Sequence, residues 1–337
     1  MRKLFTAIVI LFALLSVHAQ VVSKIAFGSC ISQNKPQDIW YKVVEQQPDL
    51  FVFCGDNIYG DTEDMNVLQQ KYDLLGSKPG YVELKKKTKV IATWDDHDYG
   101  KNDGGKEYKM KEESKKVFLK FFEEPDTSSR WKHKGIYHSY FFGEKGKTLQ
   151  VIVLDTRTFR DKLVRVRLDL DCKGPYIKLN SKHKTFLGDE QWSWLEDELK
   201  KPADLRLIVS STQFLVDFNG WEAWVNMPRE RERMMQLIEK TKASRVFFVS
   251  GDVHYSELSR LKRENGYAIY DLTSSGMTHG HSCDGGNKYR VKDQLYMKPN
   301  YGLISIDWLN KNIHLEIKDE QNNTPIHQVV PFSEISF

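Results

Sequence analysis

The sequence predicts an α/β fold, and three observations predict it. Short β-branched or aromatic runs recur along the chain, most of them are continuously apolar, and several are separated by segments with apolar residues at i,i+4 spacing. A continuous apolar run marks a strand covered on both faces. Alternation with helical patterns then places helices over a largely buried sheet.

The elements follow in order. The first strand is KIAF (24–27), and the helix PQDIWYKVVEQQ (36–47) comes next, with Pro36 near its start and the pairs Ile39/Val43 and Trp40/Val44 on one face. Strands LFVFC (50–54) and KVIAT (89–93) precede a helix at ESKKVFLKFFEE (113–124). Strand LQVIVL (149–154) is followed by the helix DEQWSWLEDELK (189–200), in which Trp194, Leu195 and Leu199 are the expected packing residues. Strand LRLIVS (205–210), helix PRERERMMQLIEKT (228–241) and strand RVFFVS (245–250) complete the alternating part. YAIYDL (267–272), YGLISI (301–306) and IHLEI (313–317) are further strands. The last two are joined by DWLNKN, too short for a helix, so an antiparallel hairpin is expected to close the chain.

The first residues stand apart. Arg2 and Lys3, an apolar run shorter than a spanning helix, and Val17-His18-Ala19 before Gln20 form a secretory signal peptide over 1–19. No comparable run follows, so the mature chain, 20–337, is expected to be exported, to a periplasm or beyond it, and to carry no transmembrane segment. It has no Pro/Gly/Ser-rich linker or internal repeat, and one domain is expected. The formal charge of +4 falls to about +2 without Arg2 and Lys3, too little by itself to imply nucleic-acid binding. Lys85, Lys86 and Lys87 read as solvated surface. Four cysteines are even in number and export permits disulfides. Cys54 belongs in a strand core. Cys172 and Cys283 sit in polar, Gly-containing loops, where pairing and separation are both open.

Function collects where strands of such folds end. The first strand gives GSC with Cys30, and the second gives GDNIY with Asp56 and Tyr59. The third gives WDDHDYG with Asp95, Asp96, His97 and Asp98, and the strand at 245–250 gives GDVHYSE with Asp252 and His254. Any one of these alone is a turn or a structural histidine. Together they are four clusters of metal-ligand types, and carboxylates so gathered raise one another's pKa unless a cation neutralises them.

At these residues the chain resembles the alkaline phosphatase D group, PhoD-like enzymes of the calcineurin-type metallophosphatase superfamily. The resemblance runs from about Ile25 to about His281 and rests on FGSC, GDNIYG, WDDHDYG, LDTR (154–157), LGDEQWSWLEDEL (187–199) and SGDVHYSE, in order and separation as well as content. It implies a two-layered β-sandwich flanked by helices, a four-layer α/β/β/α sandwich with mixed sheets. It also implies a metal centre with Cys30, Tyr59, Asp56 and His254 around a trivalent or borderline-soft ion, Fe3+. Asp56 bridges to a second site with Asp96 and Asp252, whose hard oxygens suit Ca2+ or another hard divalent ion. Gln213 of SSTQF is either a further ligand there or a backbone partner.

The implied activity is hydrolysis of phosphomonoesters or phosphodiesters by a hydroxide bridging two metals. His97 would stabilise the phosphoryl oxygens or protonate the leaving group, with Asp95 or Asp98 orienting its ring. Arg157 would clamp the phosphate, or else pair with Asp155 or Asp161. The Gly-rich loop SSGMTHGHSCDGGN (274–287), with His279 and His281, is expected to line the pocket. FNGWEAWVN (218–226) either borders it or is a surface insertion. The partner is a phosphate-ester substrate, and no nucleic-acid-binding module is evident. Two other readings compete: a secreted metal-binding protein without activity, and a phospholipid-directed phosphodiesterase, for which no basic amphipathic helix stands out.

Overall fold

Strand geometry sends alternate side chains to opposite faces, and two neighbouring parallel strands show how this builds the layers. β1 (Lys24–Gly28) sends Ile25 and Phe27 to the core shared with a second sheet and Ala26 to the other side. β2 (Leu50–Cys54) does the same with Leu50, Val52 and Cys54 against Phe51 and Phe53. The computed structural model describes residues 20–166, 172–218, 220–263 and 267–337. The expected signal peptide lies outside the described residues.

The remaining strands are β3 (Lys89–Thr93), β4 (His138–Phe142), β5 (Leu149–Val153), β6 (Leu205–Val209), β7 (Val246–Ser250), β8 (Ser256–Lys262), β9 (Ala268–Thr273), β10 (Arg290–Tyr296), β11 (Asn300–Asp307), β12 (Asn312–Asp319) and β13 (Ile326–Pro331). One sheet has the order β13-β12-β11-β1-β2-β3 and the other β10-β8-β9-β7-β6-β5-β4. Both are mixed: β1, β2 and β3 run parallel, as do β5, β6, β7 and β9, while the outer pairs are antiparallel.

Helices cover the outer faces. α1 (Ile39–Glu45), α2 (Met65–Gly76), α3 (Pro79–Lys87) and α5 (Lys111–Phe121) bring Trp40, Tyr72, Tyr81 and Phe118 onto the Phe51/Phe53 face. Trp40 meets the Phe51 ring edge-on at 5.1 Å. Each such buried aromatic contributes about 1.5–3 kcal/mol by transfer from water. α4 (Asp96–Tyr99) is a single turn at the end of β3, and α6 (Gly188–Lys200) and α7 (Pro228–Thr241) pack with the second sheet. The result is the four-layer α/β/β/α sandwich.

Two expectations change. The β11–β12 hairpin forms, but β13 pairs onto β12 and extends it to a three-strand meander. On α6 the core position belongs to Trp192, while Trp194 packs at its margin against Tyr137 at 4.6 Å. Cys172 and Cys283 form a disulfide with Cα atoms 5.3 Å apart. Cys54 is buried in β2, and Lys85, Lys86 and Lys87 are exposed. No helix among the described residues is long and apolar enough to cross a membrane.

Candidate metal centre

The four polar strand ends meet where the two sheets face one another. Ligand atoms of Cys30, Asp56 and His254 all lie within 4.8 Å of one another, as do those of Asp56, Asp95, Asp96 and Asp252, and of Asp56, Asp96 and His97. Asp56 belongs to all three sets.

The backbone is contorted to achieve this. Cys30, Asp56, Asp252 and His254 have φ of 57°, 49°, 75° and 58°, the left-handed region that costs an L-residue roughly 1–2 kcal/mol each. Such outliers persist only where the surroundings enforce them, and four together mark a functional site. The turn before Asp56 needs Gly55 at φ 96°, where a Cβ would sit 2.5 Å from that of Asp95. Asp98 then fixes the loop: its carboxylate accepts the N–H groups of Asp95 at 2.7 Å and Asp56 at 3.2 Å, and the Asn57 amide at 2.5 Å.

Electrostatics sort these acids into two groups. Burial, then the charges of Cys30, Asp96 and Asp95, push the Asp56 carboxyl well above its usual range. Asp252 rises well above it for the same reasons, burial first and Asp95 and Asp96 next. Burial likewise pushes the Cys30 thiol up, against hydrogen bonds to Ser275 at 3.1 Å and Asp56 at 3.4 Å. Asp96 differs: burial pulls it up, but Arg157 and His97 hold it at about 2. Oδ2 of Asp95 and Oδ1 of Asp96 are buried without a hydrogen-bond partner among the described residues. Orphaned carboxylate oxygens on Asp95 and Asp96, beside a thiol and an imidazole, fit a cation-binding set of mixed hard and soft donors.

Tyr59 belongs to the same set. Its hydroxyl lies 3.0 Å from Nε2 of His254 and 3.1 Å from Nε2 of His279. Burial, then Cys30 and Asp56, raise the phenol far above its usual range, so only a nearby cation would ionise it.

Three expected roles need correction. His97 is not oriented by Asp95 or Asp98, whose carboxylates are engaged elsewhere; its Nδ1 lies 2.7 Å from Oδ2 of Asp61. Arg157 is no free clamp. It is fully buried, its Nε and Nη1 donate to Asp95 and Glu222, and Nη2 stands 3.8 Å from Asp96. Asp155, the alternative partner, instead accepts the Arg157 backbone N–H at 2.9 Å. Gln213 is drawn into a separate polar network, donating to Glu257 at 2.7 Å and accepting from Tyr255 at 3.3 Å.

Asp61, Glu222 and Asp103 were not singled out as site residues, and His279, expected only as pocket lining, stands against Tyr59. Ligand atoms of Asp96, Asp103 and Glu222 form a further acidic group within 4.8 Å. Asp61 sits in YGDTED and Glu222 in NGWEAW, where sequence shows only a turn and an aromatic loop. The site opens into a cleft of ≈800 Å³ lined by Asp56, Asp96, His97, Asp252 and His254, and on its walls by Arg165, Lys173, Trp221 and His281. The Gly-rich loop thus lines the pocket, and the 218–226 segment borders it.

Paired mixed sheets between helices, with a carboxylate-rich centre at their strand ends, define the metallophosphatase class. Solved structures agree on the fold: PhoD superposes with a TM-score of 0.71 at 16% identity, covering 93% of this chain and 69% of that one. A dimetal phosphatase from Danio rerio gives 0.59 at 9% identity, covering 93% and 100%. Plasmodium GAP50, an inner-membrane-complex anchor, gives 0.61 at 11% identity, covering 93% and 89%. The chain belongs to the PhoD-like phosphatase family, whose sequence profile matches residues 25–294. It is similar to alkaline phosphatase D of Bacillus subtilis, 25% identical over 203 residues, which are 55% of this chain and only 33% of that relative's length.

Proposed function

We propose that this protein is an exported, metal-dependent phosphoesterase acting on phosphomonoesters, phosphodiesters or both, with residues 20–337 as one catalytic unit. The observation that carries the reading is the unmatched charge of the floor. Asp56 and Cys30 are buried and Asp252 is half-buried beside them, with no cation of the chain paired to them among the described residues, and holding ionised groups in that state is unfavourable unless metal ions arrive.

Cys30, Tyr59, Asp56 and His254 would hold Fe3+, and Asp56, Asp96 and Asp252 would hold Ca2+ or another hard divalent ion. Asp95, whose Oδ2 is without a hydrogen-bond partner, groups with these carboxylates, while the amide of Gln213 is bound to Glu257. The chemistry such a pair supplies when bound is activation of a water for in-line attack and neutralisation of charge on the phosphoryl oxygens.

The chain's own residues do the rest. Burial pulls the His97 pKa down, but the hydrogen bond to Asp61 and the charge of Asp96 outweigh it and hold it at about 9. At neutral pH its ring therefore carries a proton on Nε2 as well as on the Nδ1 that faces Asp61, and it lines the cleft where a leaving oxygen would depart. Arg157 keeps Asp96 ionised and Asp95 in place, a positioning role. Its sequestration favours one second reading, a metal-binding protein of this fold without turnover.

The test is elemental analysis of the purified protein, with hydrolysis of 4-nitrophenyl phosphate and bis(4-nitrophenyl) phosphate measured before and after chelation. Bound iron and calcium with chelator-sensitive hydrolysis are expected, and the ratio of the two rates assigns monoester or diester preference. A metal-loaded protein inert on both would replace the proposal with the second reading.

A further inference from the structure

Above the acidic floor, the wall of the cleft is built by chain distant in sequence. The N–H of Val166 donates to the carbonyl of Pro175 at 2.8 Å and that of Ile177 to Val164 at 3.1 Å, closing a short antiparallel strap around Arg165 and Tyr176. The strap is pinned twice. Tyr176 N–H donates to Gly220 at 2.8 Å, and the Cys172–Cys283 disulfide ties the strap to the loop that carries His281. Gly174 lies so close to Trp221 that a Cβ there would stand 2.7 Å from the indole Cδ2.

This arrangement sets Arg165 on the cleft wall, exposed. Among the described residues its guanidinium has neither a carboxylate nor a carbonyl partner, whereas every other cation of the site is committed. His97 pairs with Asp61, Lys173 donates to the carbonyls of Phe218 at 2.9 Å and Gly285 at 2.6 Å, and Arg157 is bound by Glu222. A guanidinium presents a rigid fork of donors matched to a carboxylate or phosphate. The cleft, at ≈800 Å³, is in the range that holds a small organic molecule, far more than a phosphate ion. Trp221, 40% exposed, gives its wall an apolar stretch.

We propose that Arg165, with Trp221 as its apolar neighbour, is a specificity-determining subsite that takes a second anionic group, carboxylate or phosphate, carried by an ester whose scissile phosphate lies at the acidic floor. This deepens the phosphoesterase reading and rests on it. The substrate class is an organic phosphate with two separated anions, and the subsite acts by binding the distal one.

Phenyl phosphate and 4-carboxyphenyl phosphate differ only in that distal charge. Arg165→Gln is expected to lower kcat/KM for the carboxylated ester about tenfold more than for phenyl phosphate, the size of one lost charge-assisted contact, with Arg165→Lys intermediate. Calorimetric titration of the metal-loaded protein with benzylphosphonate and 4-carboxybenzylphosphonate makes the same comparison without turnover. If neither ester is hydrolysed yet the carboxylated phosphonate binds more tightly in an Arg165-dependent way, the subsite stands and the phosphoesterase reading falls. Equal losses on both esters, or no preference for the carboxylated ligand in the unaltered protein, would overturn the subsite.

Discussion

Two groups of buried acids lie side by side in this molecule, and the chain treats them differently. Glu222 and Oδ1 of Asp95 are answered from within: Arg157 pairs with both, and Arg160 reaches Glu222 at 2.8 Å. Asp56, Asp252 and Cys30, a few ångströms away, are left unanswered and aimed at a common space by left-handed backbone. The same fold could have placed an arginine against either group. That it placed two against one group and none against the other separates a structural ion network from a binding site, although both are rich in carboxylates.

Substitution should break the two groups in opposite ways. Asp56→Asn removes the residue shared by all three ligand sets, so metal content should drop and turnover fall about 10³-fold or more, about 4 kcal/mol of transition-state stabilisation. The metal-free variant should nonetheless be more stable than the metal-free parent. Asp56 is raised above the usual 3.8 in the folded state, so the metal-free native protein loses stability as pH climbs above 3.8 toward the folded value, and the amide removes that loss. Thermal unfolding in chelator at neutral pH checks the sign; a lower Tm for the variant would mean that Asp56 is structurally paired after all.

Arg157→Leu should do the reverse, costing stability before chemistry. Breaking a buried pair costs about 3–5 kcal/mol when one charge is left alone, and here the lower end is expected. Burial already raises Glu222 to about 7, even with Arg157 and Arg160 pulling it down, so it can take up a proton rather than remain a stranded charge. Denaturant unfolding measures the loss, and a variant of unchanged midpoint but abolished activity would restore Arg157 as a phosphate clamp.

The difference between the two groups also marks what sequence could reveal. Cys30, Asp56, Asp96, Asp252 and His254 were legible because each directly follows a strand whose apolar run is unmistakable, and parallel strands deliver their ends to one rim. β1, β2, β3 and β7 were found on that signal to within a residue or so. Four strands escaped notice: β8, β10 and β13 carry mixed polar sequences such as SELSRLK and RVKDQLY, and β4, HSYFF, is an edge strand whose short aromatic run follows polar residues. Arg157 was visible as a residue at a strand end, but its role depended on Glu222, 65 positions away in an irregular loop. Asp61 was hidden for a similar reason: a turn aspartate beside Gly60 reveals nothing of an imidazole reached across 36 positions. Strand ends are written locally, whereas the partners of side chains are decided by packing.

Asp61 therefore offers the finest test, since it touches His97 and belongs to neither group of buried acids. Asp61→Asn keeps an acceptor for Nδ1 but removes the charge. His97 is raised to about 9 in the folded protein, so the acid form is present below that value and is lost above it, and removing a cause of the rise should move the loss to lower pH. Asp61 is 41% exposed, and solvent screens such pairs, so a shift of roughly one pH unit in the alkaline limb of kcat is expected rather than a larger one. The loss should then be small at neutral pH, about threefold midway between the two limbs, and close to tenfold only above both. The choice of ester sharpens the result: phenol, with a pKa of about 10, needs a proton as it leaves, and the more acidic 4-nitrophenol needs it less. A metal ion near Asp96 would lower the His97 pKa in parent and variant alike, leaving the difference between them. An alkaline limb that does not move with phenyl phosphate would remove His97 as the proton donor and leave it a contact to the phosphoryl oxygens.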